Sequence, residues 1–273
     1  MEIIDTHAYL GRNETLGFCY SIDNLLEAKN MYKDNLRFIV VAASPQTNKV
    51  IANLAREHQE FILGAYLQVQ PREELRYSYT SPKEIASLSR SPEIKGLKLV
   101  TSLVNTSINS SLLTPYIEIA EENSLAFLIH CSATGTEYTS FDKIKEVAEK
   151  HPDLKLILAH FGGLNLNYTK GSMLLARAHP NIYLNTAGMS GEIKRYESRN
   201  GVTPYVREWY TNLELRHCWS HVLQDSMSDS VLSKKILFGT DYPILAHQLY
   251  PLDKLASADQ QKIMDNARKL FKC

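Results

Sequence analysis

Eight short apolar runs recur along this chain, and they limit what it can fold into more than any other feature. They are Ile3-Ile4 leading into Asp5-Thr6-His7, then Leu36–Ala42, Phe61–Leu67, Ile94–Val100, Leu125–His130, Leu154–His160, Asn181–Asn185 and Ile236–Thr240. They are apolar along their length instead of alternating, which is the pattern of strands buried on both faces of a parallel sheet. Most successive starts lie about 25 to 35 residues apart, the length of one strand plus one returning helix. The interval from the seventh run to the eighth is about twice as long, so an insertion over Met189–Ser233 is expected between those strands.

Helix-start chemistry fills the gaps. Ser44-Pro45, Ser81-Pro82, Thr114-Pro115 and Thr203-Pro204 each set a capping hydroxyl before a proline at the first helical position. Ser81 to Glu84 and Ser257 to Gln260 have capping-box spacing. Ile117, Ile119 and Ala120, and likewise Ile144, Val147 and Ala148, suit a buried stripe facing a sheet. Pro152 and Pro180 stand where helices should stop. Strand and helix thus alternate eight times, and the economical fold is a closed (β/α)8 barrel, one domain over residues 1–273. An open doubly wound sheet is the competitor. It lacks its glycine-rich turn after the first strand, and Gly162-Gly163 after the sixth is a weak substitute.

Composition narrows the function. The chain has 30 basic and 30 acidic residues, a formal net charge of zero, and no basic stripe, so neither nucleic acid nor an anionic membrane is an expected partner. No apolar run approaches the roughly 20 residues that cross a bilayer, and no secretory leader is expected at the start. The four cysteines, Cys19, Cys131, Cys218 and Cys273, are scattered and form no C-x-x-C pair, which suits a reducing cytoplasm. A small molecule is the expected partner.

The ends of four runs carry the chemistry. In a closed barrel the first, fifth, sixth and eighth strands point their C-terminal ends at one rim, and here they end on His7, His130, His160 and Asp241. Neutral imidazoles with a carboxylate make a site suited to zinc, manganese or iron. An ion there would make hydroxide available near neutral pH or polarise a carbonyl, with Asp241 as ligand, general base or both.

Asp5-Thr6-His7, Ile129-His130, His160-Phe161-Gly162-Gly163, Gly239-Thr240-Asp241-Tyr242-Pro243 and the closing Asn266–Phe271 together resemble the amidohydrolase superfamily. The resemblance is to its amidohydrolase-related branch, which includes aminocarboxymuconate-semialdehyde decarboxylase, and it runs the length of the chain in order. It implies a (β/α)8 barrel, a single divalent metal, usually zinc, and hydrolysis or non-oxidative decarboxylation of a small carboxylated or cyclic substrate. It implies metal ligation by His7, His130 and Asp241, and a catalytic role for His160 beside Asp241. The family pattern at the first strand is His-x-His, and this chain has Tyr9 at the second position. A phenol is a poor ligand unless a strong cation deprotonates it. The change leaves either an open three-ligand site or a barrel that works without metal.

Further residues have bland and functional readings side by side. Lys98 on the fourth strand is either a substrate-carboxylate contact, with Tyr9 beside it, or an internal ion pair; a carboxylated bridging lysine is disfavoured by the incomplete first-strand pair. Asp5 orients the end of the first strand. Cys131 should point away from the direction of His130 and serve packing. His217 and His221, four apart on a helix, are read as structural. Arg195, Arg199, Arg207, Trp209 and Tyr210 lie in the insertion, as a rim overhang offering arginine to a carboxylate or as an aromatic-rich helix at a dimer contact. Two functions of different class follow. One is a metal-dependent hydrolase of a small amide, ester or lactone, with decarboxylation as variant chemistry. The other is a metal-free or catalytically reduced barrel that binds a small carboxylate as a sensor or accessory protein.

Overall fold

The computed structural model describes residues 1–13, 18–32, 35–72, 79–131, 137–163, 165–189, 192–199, 203–211, 213–244 and 249–273, and for Phe18, 192–199, 203–211 and 213–217 it describes the backbone alone. The chain begins with β1 (Ile3–Asn13), β2 (Phe18–Tyr20), α1 (Ile22–Met31), β3 (Leu36–Ala42), α2 (Asn48–Glu57) and β4 (Ile62–Gln68). It continues through α3 (Pro82–Ser89), β5 (Ile94–Leu99), α4 (Thr114–Glu122), β6 (Ala126–Ile129), α5 (Phe141–Lys150), β7 (Lys155–Leu158), α6 (Leu166–Ala178) and β8 (Ile182–Asn185). It ends with β9 (Glu192–Arg199), β10 (Thr203–Thr211), α7 (Leu213–Ser228), β11 (Ile236–Leu237) and α8 (Ser257–Phe271).

The main sheet has the order β11-β8-β7-β6-β5-β4-β3-β1-β2, parallel throughout except for the antiparallel β1–β2 pair. Eight of its strands are the eight apolar runs. The two ends of this sheet meet. The amides of Thr6 and Asp241 donate to the carbonyls of Phe238 and His7, both at 2.9 Å, and the Tyr9 amide donates to Tyr242 at 2.6 Å. The fold is therefore a (β/α)8 barrel whose seam joins β1 to the stretch following β11. Phe38, Tyr66, Phe127 and Phe238 lie in its buried core. Gly96 keeps two strands close: a Cβ there would sit 2.5 Å from the Ala126 carbonyl oxygen. Among the described residues no helix is long and apolar enough to cross a membrane.

Helix starts are partly as expected. Ser81 caps α3, its hydroxyl accepting from the Glu84 amide at 3.2 Å. At the start of α8 Ala256 stands at the cap position, and Ser257 is already helical. Thr203-Pro204 begins no helix. It opens β10, which pairs antiparallel with β9. A two-stranded ribbon has only edge strands, so a proline near one end is tolerated, and the aromatic and β-branched residues that follow favour extended backbone. Trp209 and Tyr210 therefore lie on a strand, and the aromatic-rich helix expected around them is replaced by a ribbon followed by α7. The side chains of Arg195, Arg199, Arg207, Trp209, Tyr210 and His217 lie outside the described residues.

Candidate active site at the barrel seam

Three local distortions aim the site residues. The β1–β3 register shifts between Asp5 and Ala8, giving β1 one extra residue at Thr6-His7. A bulge of this kind re-aims side chains, and His7 and Tyr9 both face the barrel centre. After β7 the chain turns sharply, with His160 and Phe161 in the left-handed region at φ 57° and 49°. Asp241 is also left-handed, at φ 69°. For side chains with a Cβ such backbone costs about 1–3 kcal/mol each and needs surrounding structure to hold it. Asp5 supplies part of that support. Its carboxylate accepts from the amides of His7 at 3.0 Å and Thr240 at 3.1 Å and from the Thr240 hydroxyl, so it clasps both sides of the seam.

The rim residues converge. His7 Nε2 lies 3.4 Å from Asp241 Oδ1, 3.4 Å from the Tyr9 hydroxyl and 3.3 Å from Lys98 Nζ. His160 Nε2 lies 2.9 Å from His130 Nδ1, with ring planes at 77°. The His7 and His160 rings are 5.8 Å apart, which joins the two pairs. Lys98 is wholly buried.

The hydrogen-bond network assigns the histidine tautomers. Asn185, at the end of β8, donates from Nδ2 to Thr6 Oγ1 at 2.8 Å, while that hydroxyl donates to the Phe238 carbonyl. Asn185 Oδ1 accepts from the Ala187 amide at 2.9 Å, which fixes the orientation of its side-chain amide. His7 Nδ1, 3.3 Å from that same oxygen, must then carry its proton, and Nε2 is left as a lone pair. His160 Nδ1 lies 2.9 Å from the Ala187 carbonyl and must likewise be protonated. Its Nε2 accepts from His130 Nδ1, so the lone pair of His130 is on Nε2. One turn, Asn185–Ala187, thus sets all three rings. Gly239 permits this packing: a Cβ there would meet Asn185 Oδ1 at 2.6 Å and His7 Cβ at 2.8 Å.

Charge follows from burial. Burial first, then the nearby Lys98 cation and neighbouring imidazoles, hold His7 well below the usual histidine range. His130 is held well below it by burial, then by His160 and Lys98. His160 is lowered by burial, with Asp241 opposing. All three are neutral at pH 7. Burial pushes Lys98 down to about 8 against the pull of Asp241, so it remains mostly an ammonium at neutral pH. Burial, then the Asp241 charge, pushes the Tyr9 phenol well above its ordinary range, so Tyr9 is a protonated donor and not an anionic ligand. The Cys131 thiol is pushed up to about 12 by burial and faces the Ile129 carbonyl at 3.7 Å, in keeping with a packing role.

Among the described residues no three His, Cys, Asp or Glu side chains form a ready-made metal-ligand group. One edge of such a group is nonetheless present. The His7 lone pair faces Asp241 Oδ1, a buried oxygen with no hydrogen-bond partner. Two acceptors facing each other repel unless a cation stands between them. Donors sharing one tetrahedral zinc at its usual bond lengths lie about 3.4 Å apart. The donor chemistry at this edge fits a divalent ion.

Sequence reasoning passed over Asn185, Thr6 and Ala187. A signal was available for Asn185, which closes an apolar run with a polar residue as His130 does. His221 is exposed on α7, and the pairing with His217 rests on a side chain outside the described residues.

No curated protein matches the chain in sequence. Solved structures match along nearly its whole length. A zinc-bound amidohydrolase from Burkholderia multivorans is 12% identical, covering 100% of this chain and 99% of that one, with a TM-score of 0.68. The 5-carboxyvanillate decarboxylase of Sphingomonas paucimobilis is 12% identical over 99% of each chain, with a TM-score of 0.65. A 2,6-dihydroxybenzoate decarboxylase complexed with 2,6-dihydroxybenzoate is 16% identical over 100% of this chain and 99% of that one, with a TM-score of 0.63. At these identities the likeness shows the fold alone. The family model for amidohydrolases, however, matches residues 26–273. With the seam and rim described above, that match makes this chain a member of the amidohydrolase family and an enzyme of amidohydrolase type.

Proposed function

We propose that this enzyme hydrolyses a small amide, ester or lactone at the barrel mouth, with non-oxidative decarboxylation as variant chemistry, and that His7, His130 and Asp241 hold one divalent metal, zinc before manganese or iron. The observation that carries this reading is the His7 lone pair facing the unpartnered Asp241 oxygen across 3.4 Å. His130 offers the third lone pair, on Nε2. When bound, the ion supplies Lewis acidity to a carbonyl and to water.

The protein's own groups handle the protons and the substrate. Asp241 accepts the proton of the attacking water and returns it to the leaving group. His160, its ring held by the Ala187 carbonyl, is the second acceptor once its Nε2 gives up the hydrogen bond from His130. The Lys98 ammonium and the Tyr9 hydroxyl are donors for a substrate carboxylate or carbonyl oxygen. The substrate is small because these groups crowd within hydrogen-bond reach of His7 Nε2. Both decarboxylase neighbours act on aromatic carboxylates by their names, which makes aryl carboxylates part of the test. The cysteines are all free, which suits a cytoplasmic location.

The test is turnover of a panel of lactones, esters, amides and hydroxylated benzoates by the wild type and Asp241→Asn, with metal content measured on both. Turnover of one class, reduced at least about 10²-fold in the variant, is expected. Equal turnover by both proteins would overturn the role of Asp241. Tyr9 in the second-histidine position favours a second reading, a metal-free barrel that binds a small carboxylate. Tight carboxylate binding with no turnover and no metal at any supplied concentration would establish it.

A further inference from the structure

The cation that the His7–Asp241 edge calls for is already supplied, in part, by the protein. Lys98 enters the barrel from β5 and is wholly buried, and its Nζ lies 3.3 Å from His7 Nε2. With His7 protonated on Nδ1, that contact is an ammonium N–H donated to the lone pair a metal would use. The Asp241 carboxylate lies 3.4 Å from the same nitrogen. The lysine thus occupies the imidazole directly, and its charge attracts the Asp241 carboxylate through space.

We propose that the Lys98 ammonium is a built-in competitor for the divalent ion, so that this lysine sets the metal affinity of the site. The inference rests on the metal reading above. Its physical basis is charge. A second cation beside a buried ammonium is repelled with little solvent to screen it, and the ion must also displace the lysine from its imidazole partner. A lysine that ligated through a carboxylated nitrogen would act in the opposite sense, because removing it would remove a ligand.

The experiment compares chelator-stripped wild type with Lys98→Met and Lys98→Gln. Each is titrated with Zn²⁺ against a chromophoric chelator, and folding is checked by circular dichroism. Two uncharged replacements are used so that loss of fold in one leaves the other to decide. The expected result is at least about tenfold tighter zinc binding in a folded variant than in wild type, with a larger zinc-dependent rise in Tm. Zinc binding by the wild type that is unchanged or weakened in the variants would overturn the role of Lys98 while leaving the metal site standing. No zinc binding by any of the three would overturn the metal reading, and this inference with it.

Discussion

The two halves of the site are built differently. His7 and Asp241 sit on the seam where the barrel closes. A backbone bond joins the two across it, Asp5 clasps the amides of His7 and Thr240, and Asn185 fixes the His7 ring. His130 and His160 stand at the ends of neighbouring strands and hold each other through a single 2.9 Å hydrogen bond, anchored at one end by the Ala187 carbonyl. His7 is fully enclosed, whereas His130 is partly exposed. The seam half carries the facing acceptors and is tied down by more bonds than the other half.

That contrast can be broken or sharpened by measurement. The largest effect is expected at the seam. His7→Asn should cut turnover about 10³-fold, and His130→Asn clearly less; equal losses in kcat/KM would erase the distinction between the halves. Asn185→Leu removes the acceptor that fixes the His7 tautomer, and supporting groups of this kind are worth about 10- to 100-fold in activity or metal affinity. Its specific readout is the ¹⁵N chemical shift of the His7 ring, which should show mixed tautomers, with Asn185→Asp restoring the single form. An unchanged shift would assign Asn185 to packing only.

A third expectation concerns pH. His7, His130 and His160 are all held below the ordinary histidine range, so the unfolded chain takes up protons near pH 6.5 while the folded chain does not. The histidines' contribution to the stability of the metal-stripped protein should therefore be level around pH 7 and fall as the pH drops through 6.5 toward 5, as measured by urea unfolding. A His130→Asn, His160→Asn double variant should flatten that slope. A slope no different from wild type would show that the pair does not stay neutral. The smallest effect belongs to Cys131. Cys131→Ala should change turnover less than about twofold, because a buried thiol of raised pKa is no nucleophile; a large loss of kcat would contradict the packing assignment.

Much of this molecule was legible in the chain because it depends on local pattern. Strands such as Leu36–Ala42 are continuous apolar runs, and only a strand covered on both faces tolerates that. A polar residue closing such a run marks the rim, so His7, His130, His160 and Asp241 could be grouped without coordinates. The ribbon of β9 and β10 was missed because Thr-Pro serves a helix start and an edge strand equally well. Asn185 was passed over because its partners are Thr6 and His7, 179 and 178 residues away. No periodicity encodes a hydrogen bond at that separation.

By itself, the sequence determined the barrel, the family and the set of side chains at its mouth, since apolar periodicity and strand-end chemistry are properties of neighbouring residues. Only the tertiary structure decided which nitrogen of each histidine is free, that Lys98 lies against His7, and that Asp241 keeps an oxygen unpartnered. Those are properties of groups brought within about 3 Å by the closing of a sheet, where burial and charge act through space and not along the chain.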